Sequence, residues 1–166
     1  MMKRALIPFV FTLLANPASA SPELAKLWAA KAASLSAQSE ALLNAARRGE
    51  APDLNEDYLI ELERFVLNAG RLGAWSDSAG SPAAMGCSFR RLGEEAETQL
   101  DALEGARTAR ASEMALARLI VLLHDARDLS TAATSAARAG SAQPASVIRQ
   151  PGCPDDPPGL SRIAAR

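Results

Sequence analysis

Histidine occurs once in this chain, at His124, and cysteine twice, at Cys87 and Cys153. Di-iron helical bundles draw their ligands from paired Glu-x-x-His motifs, so one histidine excludes that chemistry. The absence of a Cys-x-x-Cys-His run excludes covalently attached haem. Aromatic side chains make up only 4% of the residues, too few to build a stacking surface for nucleic-acid bases. There is no glycine-rich phosphate loop, no Gly-x-Ser-x-Gly elbow and no Ser-x-x-Lys signature. Nor does either sign of charge dominate: 18 basic residues face 19 acidic ones. That balance gives no electrostatic reason to expect a nucleic acid or an anionic membrane as partner.

What is present begins with an address. Lys3 and Arg4 precede an apolar run from Ala5 to Ala15, and Ala18-Ser19-Ala20 has the small-x-small pattern of a cleavage site. This predicts a Sec-type leader over residues 1–20, cut between Ala20 and Ser21. The run is about half the ~20 residues that a spanning helix needs. No later stretch is long and apolar enough to span a membrane, so no span is expected after cleavage. Lys3 and Arg4 leave with the leader, which takes the basic residues to 16 against 19 acidic and the net charge to −3. The expectation is a periplasmic or secreted protein.

The mature chain reads as all-helical. Ser21-Pro22 is a strong helix start, with serine as cap and proline in the first turn. Leu24, Leu27, Trp28, Leu35, Leu42 and Ala46 then share one face, with Lys31, Gln38 and Ser39 inside the stripe, and Gly49 and Pro52 end the helix. Asp53 with Glu56 has capping-box spacing and opens a second helix. Its stripe is Leu54, Tyr58, Leu62, Phe65, Ala69 and Leu72, widened by Leu59 and Val66, and it is expected to fray at Gly70 to Gly73. A turn-rich loop is predicted over residues 75–80, carrying Trp75.

Ser81-Pro82 repeats the first start and leads into a third stripe, Met85, Phe89, Leu92, Ala96, Leu100 and Leu103. Gly86 and Gly93 in that helix each cost about 1 kcal/mol against alanine, which close helix packing would explain. The fourth and most apolar helix is predicted over Ser112 to Ala139. It buries Leu116, Leu119, Leu122, Leu123, Ala126, Ala133 and Ala137.

A break between the third and fourth helices follows from two arguments. The apolar face of the fourth lies about 120° away from a straight continuation of the third. The cysteines supply the other. Two cysteines in an oxidising compartment pair most simply with each other. On one continuous rod, Cys87 would sit about 78 Å from Ala139 at ~1.5 Å per residue, beyond the ~50 Å that the segment reaching Cys153 can span. A hairpin near residues 105–111 brings them together. The tail over residues 140–166 holds Pro144, Pro151, Pro154, Pro157 and Pro158 and cannot be a long helix. The predicted architecture is therefore an up-down-up-down four-helix bundle over residues 21–139, strapped by a proline-rich tail through a Cys87–Cys153 disulfide.

Candidate functional residues are few. Glu94, Glu97, Asp101 and Glu104 recur at three- and four-residue steps along the third helix, where they could dock a basic partner or a hard cation. Trp75 marks a candidate surface contact. Lys31 and Gln38 are candidates for a polar core or a ligand contact. His124 and Asp128 are four residues apart on the polar side of the fourth helix, a solvated pair rather than a metal site. No metal, no cofactor and no catalytic residue is expected. These features point to an exported, non-catalytic interaction protein, an adaptor or chaperone-like module with a protein partner. A periplasmic bundle binding a small ligand or a cation is the alternative.

Overall fold

Four of the helix ends are set by caps. The computed structural model describes residues 21–79 and 83–140, and these form α1 (Pro22–Arg47), α2 (Glu56–Ser78), α3 (Ala83–Glu104) and α4 (Ala109–Gly140), with no strand among them. The leader, the Ser81-Pro82 start and the tail with Cys153 lie outside the described residues. At the start of α1, Ser21 Oγ accepts from the Leu24 N–H at 3.2 Å. At its end, Gly49 takes the left-handed conformation, φ 81°, that an L side chain resists. The Gly49 N–H then reaches Ala46 O at 2.9 Å and the Glu50 N–H reaches Ala45 O at 3.1 Å, closing a Schellman motif.

Two boundaries differ from the sequence expectation. The cap of α2 is Asn55, whose Oδ1 accepts from the Tyr58 N–H at 2.8 Å, and not Asp53. After Pro52 the chain makes tight turns, Leu54 N–H to Pro52 O and Asn55 N–H to Asp53 O, both at 3.1 Å, which delay the helix by two residues. Similarly, Thr108 Oγ1 accepts from the Ala111 N–H at 3.1 Å, so α4 starts at Ala109 rather than Ser112. Ser112 is buried instead, one turn inside. The break between α3 and α4 falls at residues 105–108.

The larger correction concerns the end of α2. It does not fray at Gly70 to Gly73, and residues 75–78 are helix, not loop. The reason is packing. A Cβ on Gly73 would stand 2.9 Å from Gly86 O, and one on Gly86 would stand 2.9 Å from Gly73 O and 2.7 Å from the Asp77 carboxyl carbon. One on Gly93 would stand 2.9 Å from the Ala69 Cβ. These glycines are the points where α2 and α3 touch backbone to backbone, and the contact supports a helix that local propensity alone would interrupt.

The helices meet in four interfaces, α1 with α4 and α2, and α3 with α2 and α4. α1 packs most closely on α4 and α2 on α3, while the consecutive pair α1 and α2 share the thinnest interface. Around the core, Trp28, Leu35, Leu62, Phe65, Leu72, Phe89, Leu116, Leu119 and Leu123 are buried. Trp28 stacks on Phe65 with ring centres 4.4 Å apart and meets the edge of Phe89 at 5.5 Å. Its Nε1–H donates to Phe65 O at 2.9 Å. Leu27, assigned to the same stripe, is instead 68% exposed. A rotation of about 100° per residue carries it away from the face centred on Ala25, Trp28, Ala32 and Leu35.

Serine supplies the polar part of the interior. Ser39 Oγ donates to Leu35 O at 2.7 Å and lies 2.9 Å from Tyr58 Oη. With its one proton engaged, Ser39 accepts from the phenol. Ser76 Oγ is the only buried side-chain polar atom without a hydrogen-bond partner among the described residues.

Gly70 and Gly73 offer a paired test. Nothing lies within 4 Å of a Cβ on Gly70, so Gly70→Ala is expected to stabilise by about 0.5–1 kcal/mol. Gly73→Ala must push the α3 backbone away and is expected to destabilise by about 1–3 kcal/mol; denaturant melts of the two variants measure the contrast. Tyr58 gives a second test. Burial raises its phenol above the ordinary value. As pH rises past about 10, the unfolded chain therefore loses this proton first. The contribution of Tyr58 is intact below that pH and is lost above it, so the stability advantage of wild type over Tyr58→Phe should shrink in alkaline melts.

Candidate functional site

α3 carries an unusual charge arrangement. Glu94, Glu97, Asp101 and Glu104 are all exposed and lie along its C-terminal half. The helix has no acidic residue in its first turn and no basic residue in its last. Helix dipoles favour the opposite placement, with acids at the N-terminus and bases at the C-terminus. Asp101 and Glu104 therefore stand where the partial charge of the helix repels them. None of the four forms an ion pair among the described residues. Glu95, one residue outside the stripe, does: it lies 3.1 Å from Arg118 Nε of α4.

The carboxylates repeat along the helix and do not converge. No group of three or more His, Cys, Asp or Glu side chains among the described residues comes close enough to hold a metal ion. The arrangement suits a long, shallow electrostatic contact better than coordination of a cation, which needs oxygens from several directions.

The other candidates fall in separate places. Trp75 sits on α2, half-buried, packed against the core and not on a loop. Lys31 is a surface residue whose Nζ lies 2.6 Å from Glu61 Oε2 across α1 and α2. Gln38 is exposed, its amide near Ser34 Oγ at 3.3 Å. Neither Lys31 nor Gln38 therefore forms a polar core; that part is taken by Ser39, one residue on, fully buried against Tyr58. Glu61 is held below the usual carboxylate range, first by the Lys31 hydrogen bond and then by Arg64.

Two groupings were not legible in the sequence. His124 does not hydrogen-bond Asp128; its Nε2 lies 3.4 Å from Ser36 Oγ on α1. The contact has the residue types of a serine nucleophile and its base. Yet no side chain hydrogen-bonds the other ring nitrogen among the described residues, and the backbone N–H groups near mid-α1 Ser36 are spent within the helix. The pair thus lacks the orienting group and the oxyanion donors that such chemistry uses. The second grouping joins α2 to α3. Arg90 Nη1 lies 2.7 Å from Asp77 Oδ2, while Arg90 Nη2 lies 3.4 Å from the buried Cys87 Sγ. Both arise across helices, where the sequence shows neither rotation nor neighbours.

Compared with known proteins, the chain matches no family model, no curated protein and no solved structure.

The inverted charge of α3 is testable directly. Replacing Asp101 and Glu104 together by lysine should raise the melting midpoint at low ionic strength. The gain should fade in about 1 M salt, where the screening length falls to ~3 Å.

Proposed function

We propose that this chain is an exported, non-catalytic interaction protein, a periplasmic adaptor or chaperone-like module that docks a basic protein segment on the outer face of α3. The reading is carried by one observation. Glu94, Glu97, Asp101 and Glu104 form an exposed row with no ion pair among the described residues, placed against the helix dipole. A row that works against its own helix is favoured where a partner supplies the missing positive charge. Complementary charge of this kind speeds encounter and sets register more than it adds affinity.

The proposal includes the scaffold that presents this row. The helices run up-down-up-down, a reading supported by contact pairs that advance along one helix as they retreat along the other. Ser36 meets His124 and Arg47 meets Glu113 between α1 and α4. Trp28 meets Phe65 and Ser39 meets Tyr58 between α1 and α2. Gly73 approaches Gly86 and Ala69 approaches Gly93 between α2 and α3. The tail straps the bundle through a Cys87–Cys153 bond. Export through residues 1–20 brings the chain to a compartment where that bond persists.

Native mass spectrometry of the mature protein purified from the periplasm tests the reading. A bare chain starting at Ser21 is expected. A small molecule or metal ion that survives desalting would overturn it in favour of a ligand-binding bundle. Lysine at all four acidic positions should abolish co-purification of the partner while leaving the helical circular dichroism unchanged.

A further inference from the structure

The outer face of α4 runs from a cation through apolar side chains to an anion. At ~100° per residue, Arg110, Met114, Ala117, Val121 and Asp128 fall within a strip about 60° wide, opposite the buried Leu119, Leu123 and Ala126. The middle of the strip is apolar and lies in water: Met114 is 64% and Val121 44% exposed. Its two ends carry opposite charge. Arg110, in the first turn of the helix, holds Glu113 of its own chain at 2.6 Å, yet its side chain is still 75% exposed. A guanidinium has five N–H donors, so this exposed pair leaves Arg110 able to bind a second carboxylate. Asp128 is exposed and has no ion pair among the described residues. Arg107, just before the helix, adds to the basic end and Asp125 to the acidic one; both are exposed.

Such an order is complementary to itself when reversed. A second copy laid antiparallel along the strip, about a two-fold axis level with Leu119, sets Arg110 against Asp128 at both ends, nine residues to either side. The same axis sets Ala117 against Val121 in the middle, with Met114 beside them. A copy laid parallel and in register would oppose like charges instead. We infer that this chain pairs with a second copy of itself through the outer face of α4, as an antiparallel two-fold dimer. A two-fold contact is isologous, so each pairing occurs twice and the assembly closes at two copies. The apolar middle supplies attraction, and methionine adapts to an irregular contact. The charged ends supply direction and register. From Arg110 to Asp128 the strip is about 27 Å long at ~1.5 Å per residue. One helix on another over that length lies at the small end of specific interfaces, which makes the dimer a transient one. The contact uses a different helix from the acidic row of α3 and does not depend on it.

Sedimentation velocity of the full mature chain, from about 1 μM to about 1 mM in about 0.1 M salt, tests the pairing. Wild type is expected to pass from monomer to dimer across that range and to stop there. Arg110→Glu and Asp128→Arg each set like charges at both ends of the contact and should weaken association at least about tenfold. Asp128→Arg takes the mature net charge from −3 to −1, so a loss in that variant reflects the pairing and not overall repulsion. Mixed one to one, the two variants regain an unlike pair at each end and should dimerise at close to wild-type strength. That recovery also shows both to be folded. A wild type that stays monomeric at about 1 mM, or that grows beyond a dimer, overturns the proposal. So does association that either single variant leaves unchanged, or a mixture that associates no better than its components.

Discussion

Trp28 is the side chain on which the arrangement of helices depends. Rooted in α1, it stacks on Phe65 of α2, donates its indole N–H to the Phe65 carbonyl and presents its ring to the edge of Phe89 in α3. One residue thereby fixes the distance, rotation and offset between α1 and two other helices. An apolar contact alone would tolerate sliding, because hydrophobic attraction has no direction. The indole hydrogen bond does not, since a slip of one residue would strand a buried donor at about 1–3 kcal/mol. The Ser39–Tyr58 bond repeats the device about three turns further along α1. Together they turn a seam of large side chains into a register.

The interfaces that need no such pins are made of small residues. At Gly73, Gly86 and Gly93 the backbones of α2 and α3 stand closer than side chains would permit. Dispersion forces are strongest at this range, and the Asp77–Arg90 pair, partly buried, closes over the contact at 2.7 Å. α1 and α4 bury small residues of their own, Ala25, Ala32 and Ser36 on the one and Ala126, Ser130 and Ala133 on the other. A bundle in a chain with so few aromatics can thus be well packed without a large interior. Polar atoms inside are mostly serine hydroxyls that bond back to their own helix, as Ser39 and Ser130 do.

Much of this was legible from period and punctuation. The apolar stripes identified all four helices, and Tyr58, Leu62, Phe65, Ala69 and Leu72 of one of them are all buried. The close packing that Gly86 and Gly93 suggested is present. What misled were residues with two meanings. Gly70 and Gly73 break an isolated helix, yet Gly73 is a contact point, and only the neighbouring helix decides between the two. Asp53 has capping chemistry, but Pro52 fixes turns that pass the cap on to Asn55. Gln38 and Ser39 are adjacent in the same stripe, and a small difference in rotation puts serine inside and glutamine in water. Contacts such as Ser36 with His124 span 88 positions and depend on how two helices are turned toward each other, which periodicity within either one does not encode. The acidic row on α3, in contrast, was visible because all of it lies on a single helix.

The close partnership of α1 with α4 joins the first helix among the described residues to the last. A chain that emerges from its N-terminus forward therefore makes α1 long before α4 exists. α2 and α3 are neighbours in sequence as well as in space and can form their glycine contact as soon as both are present, while the closure between the ends waits for nearly the whole chain. Until then α1 has a buried face and only its thinnest interface to shelter it. Order of synthesis and order of assembly are thus opposed in this fold. A chain truncated before α4 would lose the closest neighbour of its first helix, so completion of the last helix acts as the gate to the native state.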